Sequence, residues 1–134
     1  MAGVHFSYDD TKSLLELNIG IADRLDDNRS ESFTILYCDF QKLSDDAILQ
    51  SLERVLRGSD AIVNSEKDYF FILPYTDKYG STIVKNMFEE FFDVYIPSSE
   101  VSYPLNGETP QELLFSLQAG VHKLLNRDLE CLDL

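Results

Sequence analysis

RGSDAIVNSEKDYFFILP, residues 57–74, is the stretch that decides the fold. Two apolar runs, Ala61–Val63 and Tyr69–Leu73, are rich in β-branched and aromatic residues and flank the polar Asn64-Ser65-Glu66-Lys67. That pattern predicts a β-hairpin, with Asn64 as the turn residue that tolerates positive φ. Pro74 closes the second strand because it cannot donate to a continuing ladder. Ahead of the hairpin, Arg57 and Gly58 read as the end of a helix, the glycine supplying a left-handed stop.

Working upstream, Ser44 is a helix N-cap with Leu43 and Ile48 spaced as a hydrophobic staple. Asp45 and Asp46 sit at the positive end of that helix dipole, and Ile48, Leu52, Val55 and Leu56 form its apolar face. Phe33–Phe40 (FTILYCDF) has the length and composition of a buried strand. Leu14, Leu17, Ile21 and Leu25 recur at helical spacing, predicting a leading amphipathic helix from a cap at Asp9 or Asp10 to about Asp27. Residues 1–8 read as a loose end.

Downstream, Thr76 or Asp77 caps a helix with Ile83, Val84, Met87, Phe88 and Phe91 on one face. Val94–Ile96 and Val101–Tyr103 are short strand candidates. Thr109-Pro110-Gln111-Glu112 combines a capping box with proline at the first helical position, ahead of a stripe of Leu113, Leu114, Leu117, Val121 and Leu124. Helices that cross over between strands imply an α/β class protein, an α+β sandwich with a mixed central sheet covered by helices. Residues 9–134 read as one domain.

Composition narrows the function. The 134 residues include nine Phe and seven Tyr, enough to anchor one core. Asp and Glu number 24 against 11 Lys and Arg, a formal charge of −13, which makes nucleic acid and anionic membrane poor partners. A small phosphorylated ligand still fits where a local cation outweighs a field that salt screens beyond about 8–10 Å. Cys38 and Cys131 are too few and too far apart for a zinc site and read as reduced structural thiols. No basic leader followed by an apolar run is seen, and no apolar run reaches the roughly 18 residues of a membrane span, so the expectation is cytoplasmic.

Two stretches, together with the element order over roughly Asp9 to Asp128, resemble the GGDEF (diguanylate cyclase) family. The first is residues 57–74, similar to the family's RxxD, signature hairpin and following strand. The second is SYPLNGETPQELL, residues 102–114, similar to its late strand, Tyr-Pro…Gly turn and final helix. The resemblance implies a GGDEF-like, nucleotidyl-cyclase-like fold. Laid on the hairpin, the signature glycines fall on Glu66 and Lys67, the acidic third position on Asp68, the fourth on Tyr69 and the phenylalanine on Phe70. In the family the glycines admit the nucleotide, and side chains there obstruct it.

The family holds Mg²⁺ between an Asp ending the first strand and the acidic signature position. That first Asp aligns with Tyr37 or Cys38, which leaves Asp39 displaced and, by strand alternation, directed away from Asp68. Asp39 and Asp68 are therefore weak metal candidates, and no metal is expected unless residual cyclase activity exists. The family's substrate-holding segment is missing as well, because Gln41-Lys42-Leu43-Ser44 runs straight into the helix. No catalytic residue is expected.

The resemblance makes Arg57 and Asp60 the ligand-binding candidates, since RxxD is the family's inhibition site for cyclic di-GMP. Lys85 is a substitute for the further cation that completes that site. Arg57 can grip a phosphate or a guanine edge and Asp60 can accept guanine N–H groups. The same pair also reads as helix-terminus electrostatics and a turn ion pair. Tyr69, Phe70 and Phe71 read as sheet core rather than a stacking platform, and His5 and His122 show no catalytic partner.

Three functions follow, all within bacterial cyclic di-GMP signalling. The first is a degenerate, non-catalytic signalling domain acting on an unknown protein partner through its leading helix and acidic surface. The second is a cyclic di-GMP receptor, and the third a weak diguanylate cyclase or GTP binder. A homodimer stays open.

Overall fold

The computed structural model describes residues 3–25 and 31–132. Its elements in chain order are β1 (Val4–His5), α1 (Thr11–Leu25), β2 (Glu31–Asp39), α2 (Asp45–Val55), β3 (Ala61–Ser65), β4 (Asp68–Pro74), α3 (Lys78–Phe92), β5 (Ser98–Pro104) and α4 (Pro110–Leu125). The strands form one mixed sheet in the order β1-β3-β4-β2-β5, parallel only between β1 and β3. β2 lies between β4 and β5, and its residues from Ser32 to Cys38 are buried.

Period-two alternation sorts the core into two layers. Phe33, Ile35 and Tyr37 of β2, with Phe70, Ile72, Val101 and Tyr103, face α1 and α4. Leu36 and Cys38, with Ile62, Tyr69, Phe71 and Leu73, face α2 and α3. The expected α/β sandwich with a mixed sheet is the observed architecture.

Local chemistry fixes most ends where the sequence places them. Ser44, Asp77 and Thr109 each accept an N–H from the first turn of α2, α3 and α4, satisfying donors that have no partner within the helix. Glu112 completes the last of these by accepting the backbone N–H of Glu108 at 2.9 Å.

Several expectations are corrected. The segment read as a loose end is docked from Val4 on: Val4 and His5 pair with Ala61 and Ile62, and the Tyr8 hydroxyl donates to the Cys131 carbonyl at 2.7 Å. Asp9 and Asp10 belong to a 3-10 turn capped by Ser7, and α1 starts at Thr11. The expected extension to Asp27 lies outside the described residues. α1 buries Thr11, Leu14, Leu15 and Ala22, while Leu17, Ile21 and Leu25 are exposed. The helix meets the core through Leu14, Leu15 and Ala22, so of the periodic stripe only Leu14 is buried.

α3 likewise buries Ser81 and Phe88, with Val84 and Phe92 packed beside them, and leaves Ile83 and Met87 exposed. α2 ends at Val55 with Leu56 extended, so Arg57 lies beyond the helix and Gly58 is not the left-handed stop. Val94–Ile96 is not a strand; one strand, β5, begins at Ser98.

Candidate functional site

Residues 57–74 build two neighbouring structures, a turn that precedes the hairpin and the hairpin tip itself. At the tip, Ser65 pairs with Asp68, leaving a two-residue connection of Glu66 and Lys67. Glu66 takes the left-handed φ of 55°, whereas Asn64 stays in the strand opposite Tyr69 and donates to the Glu66 carbonyl at 2.7 Å. The backbone thus keeps a conformation suited to glycine while carrying a glutamate. Lys67 folds back so that its ammonium donates to the Leu43 carbonyl, and its own carbonyl accepts the Phe40 N–H at 3.0 Å. These bonds tie the loop after β2 to the tip.

Asp39 pairs directly with Asp68 across β2 and β4, so both carboxylates stand on one face of the sheet. This corrects the expectation that Asp39 points away. Asp68 is nonetheless engaged: its Oδ1 accepts the Tyr37 hydroxyl at 2.7 Å and the Gln41 amide at 3.3 Å. Asp39 Oδ1 accepts the Gln41 backbone N–H at 3.0 Å. Burial, followed by the bond to Asp68, pushes the Tyr37 phenol far above its ordinary value, keeping it a donor.

Among the described residues no group of three or more His, Cys, Asp or Glu is placed to hold a metal. Asp39 and Asp68 thus stand side by side, with Asp68 Oδ1 taken up by the phenol and the amide.

Tyr69 and Phe70 are sheet core, as expected. Tyr69 packs on Phe40 with ring centres 5.2 Å apart, and Phe70 lies against Tyr37 at 5.2 Å and Tyr8 at 5.6 Å. Beside the tip, Asp39, Gln41, Lys42, Leu43 and residues 94–97 line a cleft of about 410 Å³.

Arg57 and Asp60 do come together. The Asp60 side chain is 1% exposed and that of Arg57 is 58% exposed. Asp60 Oδ2 accepts the Arg57 backbone N–H at 2.8 Å, and Oδ1 accepts its Nη2 at 3.1 Å. The same Nη2 reaches the Pro74 carbonyl at 3.1 Å and Thr76 Oγ1 at 3.0 Å. The motif is therefore a clasp between the end of α2 and the chain leaving β4.

Lys85 does not join it. It pairs with Glu89 at 3.5 Å and lies 5.3 Å from the Tyr95 ring centre, and Phe88 is buried between Phe40 and Phe71. The groove beside Arg57, about 480 Å³, is lined by Tyr75, Ile83, Val84 and Met87 and not by Lys85.

Tyr37 and Gln41 are the partners of Asp68 that sequence reasoning missed. Tyr37 was legible in principle, two residues before Asp39 and so on the same face of one strand. His5 and His122 do have polar partners, Asn64 at 2.7 Å and Asp128 at 2.8 Å, on the exposed surface. Cys38 is buried, which pushes its thiol well above the ordinary range. No helix among the described residues is long and apolar enough to cross a membrane.

No known family profile matches the chain, and no curated protein matches it. Among solved structures it is similar to a sensory box/GGDEF family protein from Caulobacter crescentus, with a TM-score of 0.63. Sequence identity is 13%, and the match covers 90% of this chain and 93% of that one. At that identity the likeness speaks for architecture alone, and the architecture of this chain is GGDEF-like.

Proposed function

We propose that the domain is a non-catalytic GGDEF-like signalling module that acts through protein contacts. The observation that carries this reading is the closed state of the hairpin tip. Asp68 accepts from Tyr37 and Gln41 on one oxygen, and the glycine positions of the signature hold Glu66 and Lys67, the latter fastened to Leu43. A triphosphate needs open backbone and free carboxylates at such a tip. GTP with Mg²⁺ or Mn²⁺ should give no cyclic di-GMP on chromatography. Turnover that disappears in Asp68→Asn overturns the reading.

Reception of cyclic di-GMP at Arg57 is the second reading. It is favoured by one observation: every described bond of the exposed guanidinium uses Nη2, and the residue lines a groove. Calorimetric titration should then show binding that Arg57→Ala abolishes, and silence in wild type rejects it.

A further inference from the structure

Residues 4–8 and 129–132 meet beside the hairpin tip. Strand alternation puts Tyr37, Asp39, Asp68 and Phe70 on the side of the sheet that faces α1 and α4. Tyr8 packs on Phe70 with ring centres 5.6 Å apart, Phe70 packs on Tyr37 at 5.2 Å, and the Tyr37 hydroxyl donates to Asp68 at 2.7 Å. The Tyr8 hydroxyl donates in turn to the carbonyl of Cys131, in the 3-10 turn Glu130–Leu132, at 2.7 Å. Leu129 and Leu132 are buried in the same layer. An unbroken line of contacts therefore runs from residues 129–132 through Tyr8, Phe70 and Tyr37 to Asp68.

Side chains, rather than a strand ladder, fasten this segment. Residues 126–132 join no strand, and apart from the α4 cap their one described backbone bond is internal, from the Leu132 N–H to the Leu129 carbonyl at 3.1 Å. A single residue grips the Leu129 backbone. Gln118 Nε2 donates to its carbonyl at 2.9 Å, and Gln118 Oε1 accepts its N–H at 3.0 Å. The amide thus offers one donor and one acceptor to one residue, as a neighbouring strand would. The His122–Asp128 pair beside it is exposed on both partners and adds little. A segment anchored by two leucines and a few side-chain bonds belongs to the part of a fold that opens locally, at lower cost than the central strands.

We propose that residues 126–132 are a latch on the hairpin tip: Gln118 and Tyr8 keep it shut, it opens while the sheet stays folded, and its release loosens Tyr37 on Asp68. The proposal rests on the closed-tip reading above and supplies the device that regulates it. Lys67, fastened to Leu43, secures the tip on the layer facing α2 and α3, and the latch secures it on the opposite layer. A partner that engages residues 126–132 competes with Gln118 and Tyr8, and its binding reaches the tip through the packed rings.

The two cysteines report on the device. Cys131 is half-buried in the latch, whereas Cys38 is fully buried in β2. With an aromatic disulfide reagent, Cys131 should label about a hundredfold faster than Cys38, at a rate that urea below the unfolding transition leaves unchanged. Gln118→Ala removes both bonds to Leu129 and should speed Cys131 labelling about tenfold. Tyr8→Phe removes one bond and should speed it severalfold, which keeps the test decisive if Gln118→Ala does not fold. Linkage supplies the link to the tip. If opening weakens the bond between Tyr37 and Asp68, deleting that bond in the closed state favours opening, so Tyr37→Phe should also speed Cys131 labelling severalfold. Tyr37 has no described bond to residues 126–132, so a latch independent of the tip would not respond.

Labelling of Cys131 and Cys38 at one rate, with one urea dependence, overturns the proposal, because the turn then opens only with the whole fold. So does Cys131 labelling at the rate of an unfolded peptide, which leaves no latch to open. Cys131 labelling indifferent to both Gln118→Ala and Tyr8→Phe overturns the fastening, and indifference to Tyr37→Phe overturns the link to the tip. GTP turnover tests the non-catalytic reading by itself, so the latch and that reading fail separately.

Discussion

The Arg57–Asp60 turn and the Glu66–Lys67 hairpin tip lie within one run of eleven residues, yet they match the resemblance in opposite ways. The turn has the residue types of the RxxD motif it resembles and uses them as an internal clasp. The tip has a left-handed residue at its first position, and carries Glu66 and Lys67 where the resemblance would place glycine. A motif is thus two separable properties, a set of side chains and a path of the chain. Neither alone establishes the chemistry that both together perform.

The sharpest way to break the comparison is at the clasp. Asp60 accepts two hydrogen bonds while fully enclosed, and it holds Arg57 against the Pro74 carbonyl. Asp60→Ala leaves a buried N–H without its acceptor and lets the guanidinium swing free. The expected loss is about 2–4 kcal/mol in urea unfolding, the range for removing one partner of a buried charged network. A loss below about 1 kcal/mol would show the turn standing without its ion pair, and the residue types would then be open to a ligand role.

At the tip the corresponding change is Tyr37→Phe, which deletes only the hydroxyl on Asp68. A hydrogen bond to a charged acceptor is worth about 1.5–3 kcal/mol, and the lower end is expected because Asp68 is half-exposed and keeps Gln41. The sign of the pH effect follows from the raised phenol. Its stabilising proton is fully bound below the ordinary tyrosine value near about 10, and the contribution is lost as pH rises through and above that value. Tyr37→Phe should therefore flatten the alkaline fall in stability by up to about 1.4 kcal/mol per pH unit above roughly pH 10. Alkaline profiles that superpose for the two proteins would mean that neither burial nor Asp68 raises the phenol.

What was legible in the sequence divides along the same line. Caps written in short-range chemistry, at Ser44, Asp77 and Thr109, could be read because the partner lies three residues away. Strands β2 and β4 could be read because burial on both faces leaves long apolar runs. Leu17, Ile21 and Leu25 were read with Leu14 as one stripe, and Ile83 and Met87 with Val84 and Phe88 as one face, because periodicity counts apolar residues and cannot say which of them meet the sheet. The Asp39–Asp68 pairing was missed for a related reason. Register is set by β4 sliding against β2, and a one-residue difference inverts every side chain. Tyr75 gave no local signal at all: its left-handed backbone is imposed by Arg57 and Thr34, which arrive from other parts of the chain.

The smallest effect has the opposite sign and tests whether the tip kept its path at a cost. Glu66 occupies φ 55° with its carbonyl held by Asn64 but with no described bond from its own side chain, whereas the left-handed region costs a non-glycine residue roughly 1–2 kcal/mol. Glu66→Gly removes that cost but adds conformational freedom to the unfolded chain, which offsets about 0.5–1 kcal/mol. The net expectation is a gain of about 0.5–1 kcal/mol, read as a melting temperature a few degrees higher. The same substitution restores one signature glycine, so it also asks whether the path alone readmits a nucleotide. Asp68 remains bonded to Tyr37 and Gln41, and Lys67 remains over Leu43, so GTP should still fail to bind. Binding of GTP by Glu66→Gly alone would mean that one side chain, rather than the closed set of contacts around Asp68, is what shuts the tip.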